Sequence, residues 1–406
     1  MTLHILERLA ATNPDCEIWW DSSPLVYAAW KRRVLDNAPP EKRAAWTDQL
    51  TRLFDPETAR TEGRMSFGGV TTNPPLSLQA IQNDPVYWIA EIHRIQADNP
   101  ADDVEGVFWK TYLEVSRQSA DMVFPVYEAS NGLFGHVSGQ VDPRFVTDKV
   151  RMLQQGLELA GIAPNLMVKI PGSAEGYEVI EELTARGIST NNTTSFTVSQ
   201  YVACMEAVSC GLERARAAGV DLSRWRSVIT HMSARLGNTG DLKAQAETRG
   251  IDLTPEDVIL GELAVLKRAY RFSKQMGHPS KMLQCSMRLI DDGPGGAASS
   301  WHIQKIAGGD FVYTCPPSYI EQLMQAEDRL APFDPAAIDE DAPPEVIAKL
   351  LRLPYFRQAY EFDGMQPDEF ARFGAFAATA TEFAAATRKT VDFVSSAIER
   401  AHPNAA

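Results

Sequence analysis

The chain lacks the pairings by which cysteine and histidine usually declare a role. Its five cysteines, Cys16, Cys204, Cys210, Cys285 and Cys315, are an odd number with no CxxC spacing, which suggests neither a disulfide framework nor a zinc site. They read as reduced thiols, mostly buried. Seven histidines are scattered without an HxH or HExxH pair, so a transition metal has no sequence signature here, and neither metal nor cofactor is expected. Met1 to Ala11 interrupts its apolar residues with His4, Glu7 and Arg8, which fits neither a signal peptide's apolar region nor a membrane span. A cytoplasmic protein without a membrane partner is the expectation. Positive charge is also scarce: 39 Lys and Arg against 53 Asp and Glu leave a net charge of -14, with no basic patch. That balance repels phosphate backbones and anionic lipid, and nucleic acid is not expected as a partner.

What remains is an ordinary globular composition. Of 406 residues, 44% are hydrophobic and 23% charged, enough to bury a large core and expected to form one domain over residues 1–406. No internal repeat is present, but a short apolar run ending in a polar residue, a turn and a helical stretch recur. Eight such runs are Glu17 to Asp21, Phe67 to Asn73, His136 to Val141, Leu166 to Ile170, Ile188 to Asn192, Val228 to Met232, Met282 to Ser286 and Phe311 to Thr314. Helices are expected at Val86 to Gln96, Phe145 to Ala160, Tyr177 to Arg186, Val198 to Ala218, Pro255 to Met276 and Pro317 to Ala326. The alternation predicts an α/β fold, a (β/α)8 TIM barrel with additional N-terminal and C-terminal helices. Residues 31–64, broken by Pro39-Pro40, read as a helical insertion. A C-terminal helical extension spans about 328–406: residues 328 to 346 carry Asp339-Glu340-Asp341 and read as a solvated connector. After them Phe376, Ala380, Phe383, Thr387, Val391, Val394 and Ile398 recur at helical spacing, predicting a final helix docked on the barrel.

Polar side chains stand at the carboxyl ends of these runs, where barrel enzymes place their chemistry. Asp21, Asn73, Gln140, Lys169, Asn191, Thr193, Thr230, Ser286 and Arg288 all fall there. Lys169 lies between Val168 and Ile170, so it is buried or lines a pocket. Desolvation lowers an amine's pKa, and the free amine is the form that attacks a carbonyl to make a Schiff base. The structural alternative is a lysine paired to a carboxylate. Cys285 has no histidine partner placed by the sequence and reads as a core cysteine. Gly293 to Gly296 (GPGG) reads as a flexible loop.

Four motifs in order, GVTTNPPL (Gly69 to Leu76), VDPRF (Val141 to Phe145), KIPGSAEG (Lys169 to Gly176) and GISTNNTTSF (Gly187 to Phe196), closely resemble the transaldolase family. IWWDSSPL around Asp21 resembles that family's first-strand aspartate segment, and the resemblance runs from about residue 16 to the final helix. It implies a cytoplasmic, cofactor-independent transferase of carbohydrate metabolism, of the pentose phosphate type, moving a dihydroxyacetone unit between small-molecule sugar phosphates through a lysine Schiff base. A homodimer is compatible with it. Carried over by motif, Lys169 is the Schiff-base lysine and Asp21 the acid/base aspartate. Asn73 and Asn191 hold sugar hydroxyls, and Thr193 orients the catalytic water. Arg235, in THMSARL, and Arg288 bind phosphate, with Thr230 and Ser286 as hydroxyl partners.

The chain departs from the family at Gln140, where the resemblance expects a glutamate before VDPR. A glutamine can hold a water but cannot accept its proton, which leaves the proton work to Asp21. Glutamine also stands at this place in the related fructose-6-phosphate aldolase branch. Two alternatives stay open: a Schiff-base aldolase or transaldolase acting on an unusual sugar in a specialised pathway, and a non-catalytic barrel that binds a sugar phosphate. The second needs the arginines but not Lys169, Asp21 and Thr193.

Overall fold

The computed structural model describes residues 3–293 and 295–401. Met1, Thr2, Pro294 within the GPGG loop and residues 402–406 of the C-terminal extension lie outside the described residues. Eight parallel strands close into a barrel: β1 (Glu17–Asp21), β2 (Phe67–Thr71), β3 (His136–Gln140), β4 (Leu166–Pro171), β5 (Thr190–Ser195), β6 (Ser227–Met232), β7 (Lys281–Cys285) and β8 (Phe311–Cys315). Each strand pairs with its sequence neighbours, and β1 pairs with β8 to complete the ring. With additional helices at both ends of the chain, this is the (β/α)8 barrel that the alternation predicts.

Strand periodicity explains how polar residues reach the barrel interior. Alternate residues share a face, so Glu17, Trp19 and Asp21 form one column along β1. At the bottom, buried Glu17 is paired with Arg226 at 2.7 Å and Lys281 at 2.9 Å, a network that plugs the end opposite the strands' carboxyl ends. Trp19 fills the next layer, where a Cβ on Gly69 would come 2.7 Å from its indole. Glycine at 69 is what lets an indole occupy the barrel axis. Asp21 ends the column at the upper rim.

Two boundaries move for a local reason. β2 stops at Thr71 rather than Asn73, because Asn73 caps the helix Pro74–Asn83 with its side chain and Pro74 occupies the first turn. The segment expected as a helix from Phe145 begins as a 3-10 turn, Pro143–Phe145, and becomes helical at Lys149, where Asp148 supplies the cap. Residues 31–64 form the helices Tyr27–Asp36, Pro40–Leu53 and Pro56–Glu62. A 26-residue helix, Val104–Ala129, was not predicted; Pro125 lies inside it, and its apolar face is buried against β3 and the surrounding helices.

The stretch 328–346, expected as a solvated connector, is exposed over most of its length, including the acidic run. It is nonetheless pinned: Ala337 and Ile338 are buried, and the Lys267 ammonium donates to the carbonyls of Ala337 at 2.8 Å and Glu340 at 2.6 Å. The final helix, Gly374–Ala401, packs on Pro74–Asn83, Pro85–Asp98 and the 143–145 turn. These elements follow strand ends, so the helix lies across the upper mouth of the barrel. Among the described residues no helix is long and apolar enough to cross a membrane, and no cluster of His, Cys, Asp and Glu could hold a metal ion.

Candidate active site

A cavity of about 210 Å³ opens at the carboxyl ends of the strands. Six of the predicted site residues line it: Asp21, Asn73, Lys169, Thr230, Arg235 and Ser286. Thr71, Thr314 and Cys285 join them from the strands, and Glu382 and Phe383 reach it from the final helix.

Lys169 is 5% exposed, and its amine donates to the Thr72 carbonyl at 3.1 Å. Burial lowers the amine's pKa below the ordinary lysine range, opposed by the Asp21 carboxylate. Burial likewise pushes the Asp21 carboxyl up, opposed by the charge of Lys169, the Thr71 hydroxyl bond at 2.7 Å and Arg235. The two shifts run in the directions that favour a neutral amine with a lone pair and a protonated acid beside it. Thr71 also shares a hydrogen bond of 2.5 Å with Thr314, so two strands hold the hydroxyl that orients Asp21.

Beneath the cavity the barrel interior is a polar chain. Asn191 donates to Ser138 at 2.9 Å and accepts from Thr230 at 2.8 Å; it does not line the cavity. Thr193 is buried, and its hydroxyl has no hydrogen-bond partner among the described residues. It neighbours Thr194, whose φ of 55° is rare for a β-branched residue. Ser286 shares that left-handed backbone, φ 55°, at the end of β7. Both strained residues stand at the carboxyl ends of barrel strands, and strain of this kind is commonly stored at functional sites.

Cys285 lines the cavity, yet burial and the nearby Asp21 push its thiol up to about 12. It stays protonated, consistent with the core role read from the sequence.

The two arginines part company. Arg235 stands at the cavity and gives both terminal nitrogens to Glu382, at 2.6 and 2.9 Å. Arg288 does not line the cavity: its guanidinium is bound at 2.6 Å to Glu262, a 1% exposed carboxylate that also accepts from the fully buried His302 at 2.8 Å. Gln140 lies in a separate small void of about 10 Å³, lined also by Tyr112, Asp142 and Thr387.

Sequence reading missed Thr71, Thr314, Glu382 and Phe383. The threonines lie in predicted strands, and period 2 places Thr71 among the inward-facing residues; Glu382 carried no signal beyond its place next to Phe383 in the apolar stripe of the final helix.

A family model described as transaldolase/fructose-6-phosphate aldolase matches residues 57–362. The chain belongs to this family. Asp21, Glu382 and Phe383 lie outside the matched span, which is narrower than the resemblance read from the motifs. Among curated relatives, the transaldolase of Thiobacillus denitrificans is 32% identical over 237 residues, 56% of this chain and 64% of the relative. That of Mycolicibacterium smegmatis is 33% identical over 213 residues, 52% of this chain and 56% of the relative. That of Thermobifida fusca is 34% identical over 202 residues, covering 49% and 54%. These matches span less than two thirds of the relatives' own lengths.

Proposed function

We propose that the chain is a transaldolase-type transferase in which Lys169 forms a Schiff base with a ketose and carries a dihydroxyacetone unit to an acceptor aldehyde. The observation that carries this reading is the buried Lys169 amine sharing one cavity with Asp21, with opposed burial shifts. The Lys169 Nζ lone pair attacks the ketose carbonyl carbon, and the oxygen leaves as water after two proton transfers. Asp21 supplies and then recovers these protons. Transfer of the proton on the next-but-one hydroxyl to the Asp21 carboxylate cleaves the carbon–carbon bond, releases an aldehyde and leaves the three-carbon enamine on Lys169. Attack of that enamine on a second aldehyde, followed by hydrolysis, completes the transfer. In this scheme Asn73 and Thr230 hold sugar hydroxyls at the cavity wall, and Thr193 orients the hydrolytic water. Gln140 holds a water without accepting its proton, and of the other carboxylates in the matched motifs Asp142 is tied to Arg144 and Glu175 does not line the cavity, so the proton work falls to Asp21. The proposed compartment is the cytoplasm.

Borohydride reduction in the presence of a panel of ketoses and ketose phosphates tests this proposal. A three-carbon adduct is expected on the peptide containing Lys169. An adduct on another lysine, or none with any ketose, refutes the Schiff-base assignment.

A further inference from the structure

We infer that the chain carries a second ligand site, on the outer side of the helix Pro255–Gln275, which takes an organic phosphate with an apolar body. The site shares no lining residue with the cavity at Lys169, and it does not rest on the Schiff-base reading.

The site is a cavity of about 940 Å³, within the range of small-molecule pockets. One wall is a stripe of that helix in which Leu260, Leu263, Ala264, Lys267, Arg268 and Arg271 recur at helical spacing. Opposite it stand the pinned connector at 340–344, then Ile347 and Leu351, while Trp301 and Lys305 reach it from the segment before β8. The leucines, Ala264 and Ile347 offer an apolar surface beside a cationic one. Lys267, Arg268, Arg271 and Lys305 line the cavity against Glu340 and Asp341, an excess of positive charge in a chain whose net charge is -14.

Donors there are left over after the protein's own acceptors are counted. Lys267 is 6% exposed, and its ammonium gives two of its three N–H groups to the carbonyls of Ala337 and Glu340. The third meets no acceptor among the described residues. Arg268 donates to Glu361 at 3.3 Å, yet its buried Nε has no partner, and an unpartnered buried donor is costly. Burial, with the charges of Arg271 and Lys305, lowers the Lys267 pKa to about 8 against the pull of Glu340 and Asp341. The cations therefore stand close enough to act on one another, and an anion among them relieves that repulsion. Arg271 is held by Asp341, and Arg268 lies 4.3 and 4.8 Å from the ring centroids of Tyr360 and Phe362. The Lys267 and Lys305 ammonium groups make no ion pair among the described residues, and Lys305 lies 5.0 Å from the ring centroid of Trp301. Two unpaired positive charges match the roughly two negative charges of a phosphate monoester.

The test is calorimetric binding to the full chain of octyl phosphate and adenosine monophosphate, each compared with its uncharged parent, octanol or adenosine, and with inorganic phosphate. At least one of the two esters is expected to bind about tenfold or more tightly than both its parent and inorganic phosphate. Octyl phosphate alone points to an aliphatic body and adenosine monophosphate alone to an aromatic one. Lys305→Gln is expected to weaken the ester about tenfold and Lys267→Met at least as much, whereas Arg235→Ala leaves its affinity unchanged. Lys305 is only partly buried, so its variant reads the site even where Lys267→Met loosens the fold. Neither ester exceeding its parent and inorganic phosphate overturns the inference. So does an ester affinity that persists in Lys305→Gln, or one that falls in Arg235→Ala, which places the phosphate at the barrel mouth instead.

Discussion

Gln140 and Lys169 stand opposite each other in register across β3 and β4. The amide is buried, its backbone N–H donates to the Tyr112 hydroxyl at 2.8 Å, and its side-chain oxygen meets no donor among the described residues. No cation lines its void, while the carboxylate of Asp142 does. A glutamate at 140 would bury a charge beside the Asp142 carboxylate, whose Arg144 partner is already taken, and opposite a Lys169 amine that burial favours as neutral; burial and the like charge would raise its carboxyl above the ordinary range. Such a group weakens the fold above its folded-state pKa and ceases to do so as pH falls through it. Gln140→Glu is therefore expected to lose on the order of 2 kcal/mol at pH 8 and to recover most of it near pH 4. Urea midpoints at the two pH values check this; equal stability with wild type at both defeats the account.

Asp21 is the proposed proton carrier. Asp21→Asn keeps the shape of the side chain and is expected to reduce transfer by roughly 10²- to 10⁴-fold. Removing the carboxylate also removes an influence that raises the Lys169 pKa, so the acid limb of borohydride trapping should move to lower pH. A variant that keeps most of its transfer rate sinks the proposed role.

Arg235 and Arg288 should behave differently on truncation. Arg288→Ala leaves Glu262, 1% exposed, with His302 alone, and a cost of about 2 to 4 kcal/mol of stability is expected, since one partner of a buried charge pair is gone. Arg235→Ala breaks a rim pair and is expected to cost less than about 1 kcal/mol, while altering ligand binding more. Thermal denaturation of both variants decides; a more destabilised Arg235→Ala contradicts the placement of the two residues.

His136 is fully buried, with a pKa lowered to about 4 by burial, and His231 is lowered to about 3 by the same cause. Between about 6.5 and these values the unfolded chain takes up protons that the folded one refuses. Their contribution is therefore present above pH 6.5 and lost as pH falls, at about 1.4 kcal/mol per pH unit for each histidine. His136→Gln is expected to reduce that slope by one proton's worth between pH 6 and 4.5, read from urea midpoints. An unchanged slope means that His136 is protonated in the fold.

Much of the barrel was legible because its signals are local. Each of the eight strands overlaps an apolar run seen in the sequence, and the helices Val198–Ala217 and Pro255–Gln275 carry capping boxes that begin at Thr197 and Thr254. Val104–Ala129 was missed because its charges, aromatics and internal proline obscure a single clear stripe. Lys169 was legible as a candidate because a lysine inside an apolar strand has only a pocket or an ion pair to go to.

The sequence by itself determined the alternation of strands and helices, and the polar residues at strand ends, since both depend on spacing along the chain. Tertiary structure alone decided the partners. Arg235 and Glu382 are 147 residues apart, and Arg288 meets Glu262 across 26; no periodicity relates them. A guanidinium satisfies the nearest carboxylate that folding brings to it, and where the final helix crosses the barrel mouth is set by packing over its whole length. Whether an arginine greets a substrate or a side chain of its own protein is settled there.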